Sequence, residues 1–215
     1  MFNIIKIDVS GNNKISKEQI ISLSGIETDV NMFKISVSNS QKSIKEEPYI
    51  DTVKILRSLP STIKIEVIER VPTYGLEFAN SYMLINNQGY MLEIVNEKQG
   101  LPTITGYETK VEDIRAGGRL ENQDLYKLET VLKIMDTMQS FEIRSLVTKI
   151  DILNKNNFTL VLEEEKKIVY LGDASNINTR ILHLKEIIEI EKGVEMEIFI
   201  NGDMNKDKVY SREKL

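Results

Sequence analysis

Four groups of residues have types and spacings that could do chemistry. Glu163-Glu164-Glu165-Lys166-Lys167 sets three carboxylates side by side, and paired carboxylates can cleave glycosidic bonds by acid–base work. The run lies between two apolar stretches, Phe158–Leu162 and Ile168–Leu171, so a solvated hairpin turn is the expectation. Glu46-Glu47 stands before Pro48. Proline disfavours helical geometry in the residue before it, so this pair reads as a helix end rather than an active dyad. His183 is the one histidine and hence the single imidazole available as a base. It falls roughly 200° around a helix from Ile181, opposite an apolar stripe, and is expected to be exposed. Ala116-Gly117-Gly118-Arg119 resembles an anion nest, but no strand precedes it and no Gly-Lys-Ser/Thr follows, so a flexible loop suffices. With no cysteine in the chain, disulfides, thiolate metal sites and cysteine nucleophiles are excluded. These residues assign no catalytic, cofactor or metal site, and none is expected.

The bulk properties narrow the partners. The 215 residues carry a net charge of −5, with a pI near 5.2, so nothing pulls toward nucleic acid electrostatically. Residues 1–72 hold ten Lys/Arg against nine Asp/Glu, which leaves 18 against 24 for the rest. The acidic excess belongs to the second part. No apolar run approaches the roughly 18–20 residues that span a bilayer, and no signal peptide precedes the first strand. Taken alone, this reads as a soluble cytoplasmic chain.

The elements follow from periodicity and local punctuation. Asn3–Val9 alternates, with Ile5, Ile7 and Val9 on one face, and ends at Gly11-Asn12-Asn13. Ser16 with Gln19 three residues on makes a capping box, and Gly25 can close that helix in a left-handed cap. Ser38–Glu47 reads as a weak second helix. Ile50–Arg57 and Thr62–Arg70 are strands joined by Leu59-Pro60-Ser61, a link short enough to make them antiparallel. Pro72 cannot donate to a continuing ladder and marks a boundary. The order β-α-α-β-β therefore occupies residues 1–72. Residues 73–215 read as a second domain. It has a hairpin of Tyr82–Ile85 and Tyr90–Val95, and a helix over Asn122–Ser140 with Leu125, Leu128, Leu132, Met135 and Met138 on one stripe. Strands follow at Ser145–Leu153, Phe158–Leu162 and Ile168–Leu171. A helix carries Ile177, Ile181, Leu184 and Ile188, and late strands fall at Glu195–Ile200 and Val209-Tyr210. The fold class is α+β.

These residues carry a resemblance. Val9-Ser10-Gly11-Asn12, Ile15-Ser16, Ser24-Gly25-Ile26, Asn31-Met32-Phe33, Pro48-Tyr49-Ile50 and Leu59-Pro60 form a POTRA-type succession. Thr62–Pro72, ending Glu69-Arg70-Val71-Pro72, resembles the close of that domain in the cell-division family FtsQ/DivIB. Tyr82–Gly89 resembles the family's y-L-I-D-x-x-G hairpin, and Leu101–Gly106 its L-P-x-I-x-G segment. The resemblance implies a POTRA domain followed by a mixed β-sheet domain with peripheral helices. Gly11, Asn12, Gly25, Arg70 and Pro72 are its POTRA motif positions. It further implies a non-enzymatic scaffold of the bacterial divisome, a bitopic protein with this part outside the cytoplasm and enriched at the septum. Its partners would be coiled-coil membrane proteins of the FtsB/DivIC and FtsL type, with other septal cell-wall synthesis proteins alongside. The transmembrane anchor the family carries is missing here, so the sequence reads as an extracytoplasmic part, and its Ile, Lys and Asn content fits a low-GC Gram-positive source. A secreted or wall-associated peptidoglycan hydrolase or binding module is the alternative.

A bridging role needs an exposed surface. Met196, Ile198 and Ile200 share one face of a late strand, and near a sheet edge this strand could accept another by β-addition. The resemblance places partner binding on this strand and the next, here Glu195–Ile200 and Lys208–Ser211. Val209 and Tyr210 then belong to the site, with Tyr210 as an aromatic anchor. A second candidate edge is Ile50–Leu56 of the first domain.

Overall fold

The computed structural model describes residues 2–202 and 210–213. The chain divides into two compact units, Met1–Val71 with Ala116–Gly118, and Pro72–Arg115 with Arg119–Leu215.

The first unit runs β1 (Lys6–Ser10), α1 (Lys17–Ser24), α2 (Val37–Lys45), β2 (Ile50–Ser58) and β3 (Thr62–Glu69). The Ser16 hydroxyl accepts from the Gln19 amide, and Gly25 closes α1 in the left-handed conformation. Strand order is β1-β3-β2, with β1 parallel and β2 antiparallel to β3. Along β3, Ile63, Ile65 and Val67 are buried while Lys64 and Glu66 are exposed. That alternation puts a single face of the sheet against the helices, where Ile20 and Ile44 are fully buried. β2 is one edge of this sheet.

The second unit holds β4 (Tyr74–Phe78), β5 (Ser81–Ile85), β6 (Met91–Val95), β7 (Thr103–Thr105), α3 (Asn122–Ser140), β8 (Lys149–Asp151), β9 (Phe158–Leu162), β10 (Lys167–Gly172), α4 (Ile177–Ile190), β11 (Met196–Phe199) and β12 (Tyr210–Glu213). They make one sheet in the order β12-β11-β10-β9-β8-β7-β4-β5-β6. The sequence pattern announces neither β4 nor β7. β4 pairs with β5 around Ala79-Asn80, both at positive φ, and β7 lies parallel between β4 and β8. Within Ser145–Leu153 only Lys149–Asp151 is strand, preceded by a 3-10 turn at Arg144–Leu146. α3 connects the parallel pair β7 and β8, and α4 the parallel pair β10 and β11. Both helices bury their apolar stripes with the inward residues of the sheet in one core, which includes Val131, Ile134, Met138, Phe158, Leu160, Ile181 and Leu184. Among the described residues no helix is long and apolar enough to cross a membrane.

Candidate docking site

The POTRA motif positions act as a local scaffold. Gly11 has φ 84°, and a Cβ there would overlap the Val67 carbonyl oxygen, so only glycine lets β1 turn against β3. The Asn12 amide donates to the Ile15 carbonyl at 2.8 Å. Arg70 binds two backbone carbonyls as well as a carboxylate. Its guanidinium donates to the Pro48 and Ile50 carbonyls at 2.7 and 2.6 Å, with Asp51 at 3.5 Å. The preceding Glu69, part of the same ending but not among the named motif positions, accepts the amides of Asn13, Lys14 and Ile15. Pro72 opens the second unit.

Residues 163–166 of the charge run form the hairpin turn between β9 and β10, with Glu163 and Glu164 exposed and Lys98 3.2 Å from Glu163, and Lys167 is the first residue of β10. Lys167 departs from the expectation of a solvated run. It is 1% exposed, and its ammonium donates to the carbonyls of Glu165, Glu191 and Val194 at 3.0, 2.7 and 3.1 Å. Burial pushes its pKa down. His183 is half-exposed and faces Glu186 at 3.2 Å. A cleft of about 870 Å³ between α3 and the β8–β9 turn is lined by Glu108, Tyr126, Lys127 and Leu153. Its buried lysine, Lys127, is held by Glu108 at 2.7 Å.

The candidate docking residues fall at one end of the nine-stranded sheet. β11 pairs with β10 on one side and β12 on the other, so it is the penultimate strand. Met196, Ile198 and Ile200 are 4%, 0% and 1% exposed. Their side chains belong to the core and are not presented to a partner. Strand alternation explains this, because the apolar set faces α4 while Glu197 and Phe199 face away. Val209 lies outside the described residues. The backbone of Tyr210 pairs with Phe199, and its side chain lies outside what is described.

The outward face at this end holds residues that the apolar pattern did not single out. The Tyr170 and Phe199 rings stack at 4.7 Å with 9° between planes. The Tyr170 hydroxyl lies 3.3 Å from Glu197, and its pKa is pushed up by burial and then by that carboxylate. Arg212 of β12 pairs with Glu197, its register partner, and lies over the Phe199 ring. Their signal lay in the other half of the alternation, at Glu197 and Phe199. Among the described residues β12 pairs only with β11. Its outer side is thus a row of backbone groups with no described strand alongside, a template for strand addition.

Comparison with known proteins agrees with this architecture. Residues 2–70 match the family described as POTRA domain, FtsQ-type, and residues 76–199 match Cell division protein FtsQ/DivIB, C-terminal. The chain is 26% identical over 180 residues to cell division protein DivIB of Clostridium tetani, covering 84% of this chain and 67% of that one. It is 25% identical over 214 residues to DivIB of Clostridium acetobutylicum, covering 99% and 84%. It is 24% identical over 188 residues to cell division protein FtsQ of Koribacter versatilis, covering 84% and 52%. With both family regions present in order, the chain belongs to the FtsQ/DivIB family of cell-division proteins.

Proposed function

We propose that this chain is a non-enzymatic scaffold of the bacterial division complex, held at the outer side of the cell membrane near the septum. It binds the extracytoplasmic segments of FtsB/DivIC-type and FtsL-type coiled-coil proteins and so takes part in controlling septal peptidoglycan synthesis. The observation that carries this reading is the outermost position of β12 among the described strands of the sheet. An incoming segment adds a strand along β12, and the outward cluster of Tyr170, Phe199 and Arg212 offers aromatic and cationic contacts beside it. Each added backbone bond contributes roughly 0.5–1.5 kcal/mol, so four or five give about 2–7 kcal/mol. That is less than the roughly 8 kcal/mol of micromolar binding, and the aromatic and cationic contacts must supply the rest along with the ordering cost. Family membership supports the setting in division.

The test is hydrogen exchange of the full chain with and without the purified extracytoplasmic segment of the cognate DivIC-type protein. Amides of Tyr210–Glu213 gain protection on binding, and those of β6, at the opposite edge, do not. Protection confined to β6 or to the POTRA edge β2 moves the site elsewhere. Ile200→Lys is unsuited to this test, because it forces a charge into a core position.

A further inference from the structure

We infer that Arg180 is the positioning residue of the docking edge. The inference rests on the reading of β12 as that edge. β12 reaches the rest of the sheet only through β11, among the described residues, and β11 is joined to β10 by a parallel ladder of four residue pairs. Parallel pairing is slightly weaker per residue than antiparallel. Something besides the ladder must fix where β11 stops.

Arg180 occupies that place. It lies in the first turn of α4, is 3% exposed, and spreads its guanidinium over the ends of both parallel strands. One terminal nitrogen, Nη1, donates to the Leu171 carbonyl at the end of β10, at 2.6 Å, and to the Ile200 carbonyl just past β11. The other, Nη2, donates to the Gly202 carbonyl at 3.2 Å, and Nε donates to the Ser175 carbonyl at 2.8 Å. Gly172 has no side chain where the guanidinium sits, since a Cβ there would overlap Nη1. A cation in the first turn is disfavoured by the helix dipole, so α4 itself gives no reason for one. The reason is the set of carbonyls, assisted by Asp173 at 3.6 Å. The Asp173 carboxyl is held below its usual pKa by hydrogen bonds from Ser175. At the other end of the crossover, Lys167 binds the Glu191 and Val194 carbonyls before β11 begins. Two buried cations thus fix the start and the finish of the strand on which β12 is laid. A lysine cannot reproduce the fork that reaches both strand ends at once.

The experiment uses the full chain as Arg180→Lys, with Leu184→Ala as a control that opens a cavity under the same helix without touching a β11 carbonyl. Hydrogen exchange is read in the free proteins, and affinity is read with the purified DivIC-type segment. In Arg180→Lys, exchange in Met196–Phe199 and Tyr210–Glu213 rises about tenfold or more while Phe158–Leu162 stays as in the wild type. Affinity falls about tenfold. In Leu184→Ala the rise spreads over the whole unit, and affinity follows only the fall in stability. A uniform rise in Arg180→Lys, outer strands as protected as in the wild type, or full affinity despite loosened strands would each overturn the inference. Should the wild-type complex show no protection at β12, the docking reading fails separately, and the exchange pattern of the free variants still decides whether Arg180 sets the edge.

Discussion

Ile15 and Glu69 lie 54 positions apart, and the Ile15 amide donates to Glu69 Oε1 at 2.9 Å. The other carboxylate oxygen takes the amides of Asn13 and Lys14 at 3.0 and 2.7 Å. One side chain at the end of β3 therefore satisfies the loop that leads from β1 into α1. Its neighbour Arg70 does the reciprocal work on the carbonyls of Pro48 and Ile50, where α2 gives way to β2. The Glu-Arg pair closing the POTRA motif is a two-sided clasp, anion to amides and cation to carbonyls.

Replacing Glu69 by glutamine keeps the shape but removes the charge and one acceptor. Hydrogen bonds to a charged group are worth about 1.5–3 kcal/mol each. The site is partly solvated, so the expected loss is about 1–2 kcal/mol for the first unit. Urea unfolding of the full chain, followed by exchange at the amides of 13–15, checks it. An unmoved midpoint with unchanged exchange means that the loop is held by something else.

Asp124 is fully buried and accepts from the Glu108 and Thr109 amides and the Thr109 hydroxyl at 2.9, 2.6 and 2.6 Å, with Lys127 3.8 Å away. Removing this anion strands the buried donors of Glu108 and Thr109, while Lys127 keeps Glu108 at 2.7 Å. Asp124→Ala is therefore expected to cost about 3–5 kcal/mol. Lys127→Met costs less, because Asp124 keeps its three donors and Glu108 is half-exposed and can turn to water. Calorimetric unfolding of both variants gives the comparison, and equal losses would contradict the asymmetry.

The uneven legibility of this chain has physical causes. α1 was readable because its cap chemistry is local, from Ser16 with Gln19 to Gly25. α3 and α4 were readable because 3.6-residue spacing survives any tertiary context. β4 escaped because Gly75 interrupts its pattern and the Ala79-Asn80 turn reaches positive φ without glycine. β7 is three residues long, and its neighbours come from distant segments. Burial of Lys167 was hidden by the charge run, since the carbonyls that receive it lie 24 and 27 residues onward. The alternation of β11 showed two faces but not which one the core would take. Which strand is outermost depends on sheet order, and no single strand's pattern records that.

Tyr74 is fully buried, and its hydroxyl has no hydrogen-bond partner among the described residues. Burial pushes its pKa up to about 12. A folded pKa raised above the unfolded value of 10.0 means that its contribution is intact below pH 10. It is lost between pH 10 and about 12, where the unfolded state sheds the proton first. Tyr74→Phe should remove up to about 1.4 kcal/mol per pH unit from the alkaline slope. At neutral pH it should be neutral or stabilising, because an unsatisfied buried group disappears. Urea midpoints from pH 7 to 12 test both statements, and an unchanged alkaline slope would contradict the assignment.

The pair of Glu197 and Arg212 allows the outer edge to be tested without disturbing the core. They are register partners on β11 and β12, and Arg212 also covers the Phe199 ring. Cross-strand ion pairs contribute roughly 0.2–1 kcal/mol, and like charges directly opposite cost a similar amount. Arg212→Glu sets two carboxylates face to face, so exchange in Tyr210–Glu213 should rise about three- to fivefold and partner affinity fall by a like factor. Adding Glu197→Arg restores the pair with its signs exchanged and should recover most of the exchange protection but less of the affinity, because position 212 no longer offers its cation to the partner. The recovery stops short of complete, since the Tyr170 hydroxyl loses its carboxylate. If the double variant exchanges as fast as Arg212→Glu alone, the ion pair does not hold β12 in place, and stacking over Phe199 must carry that role.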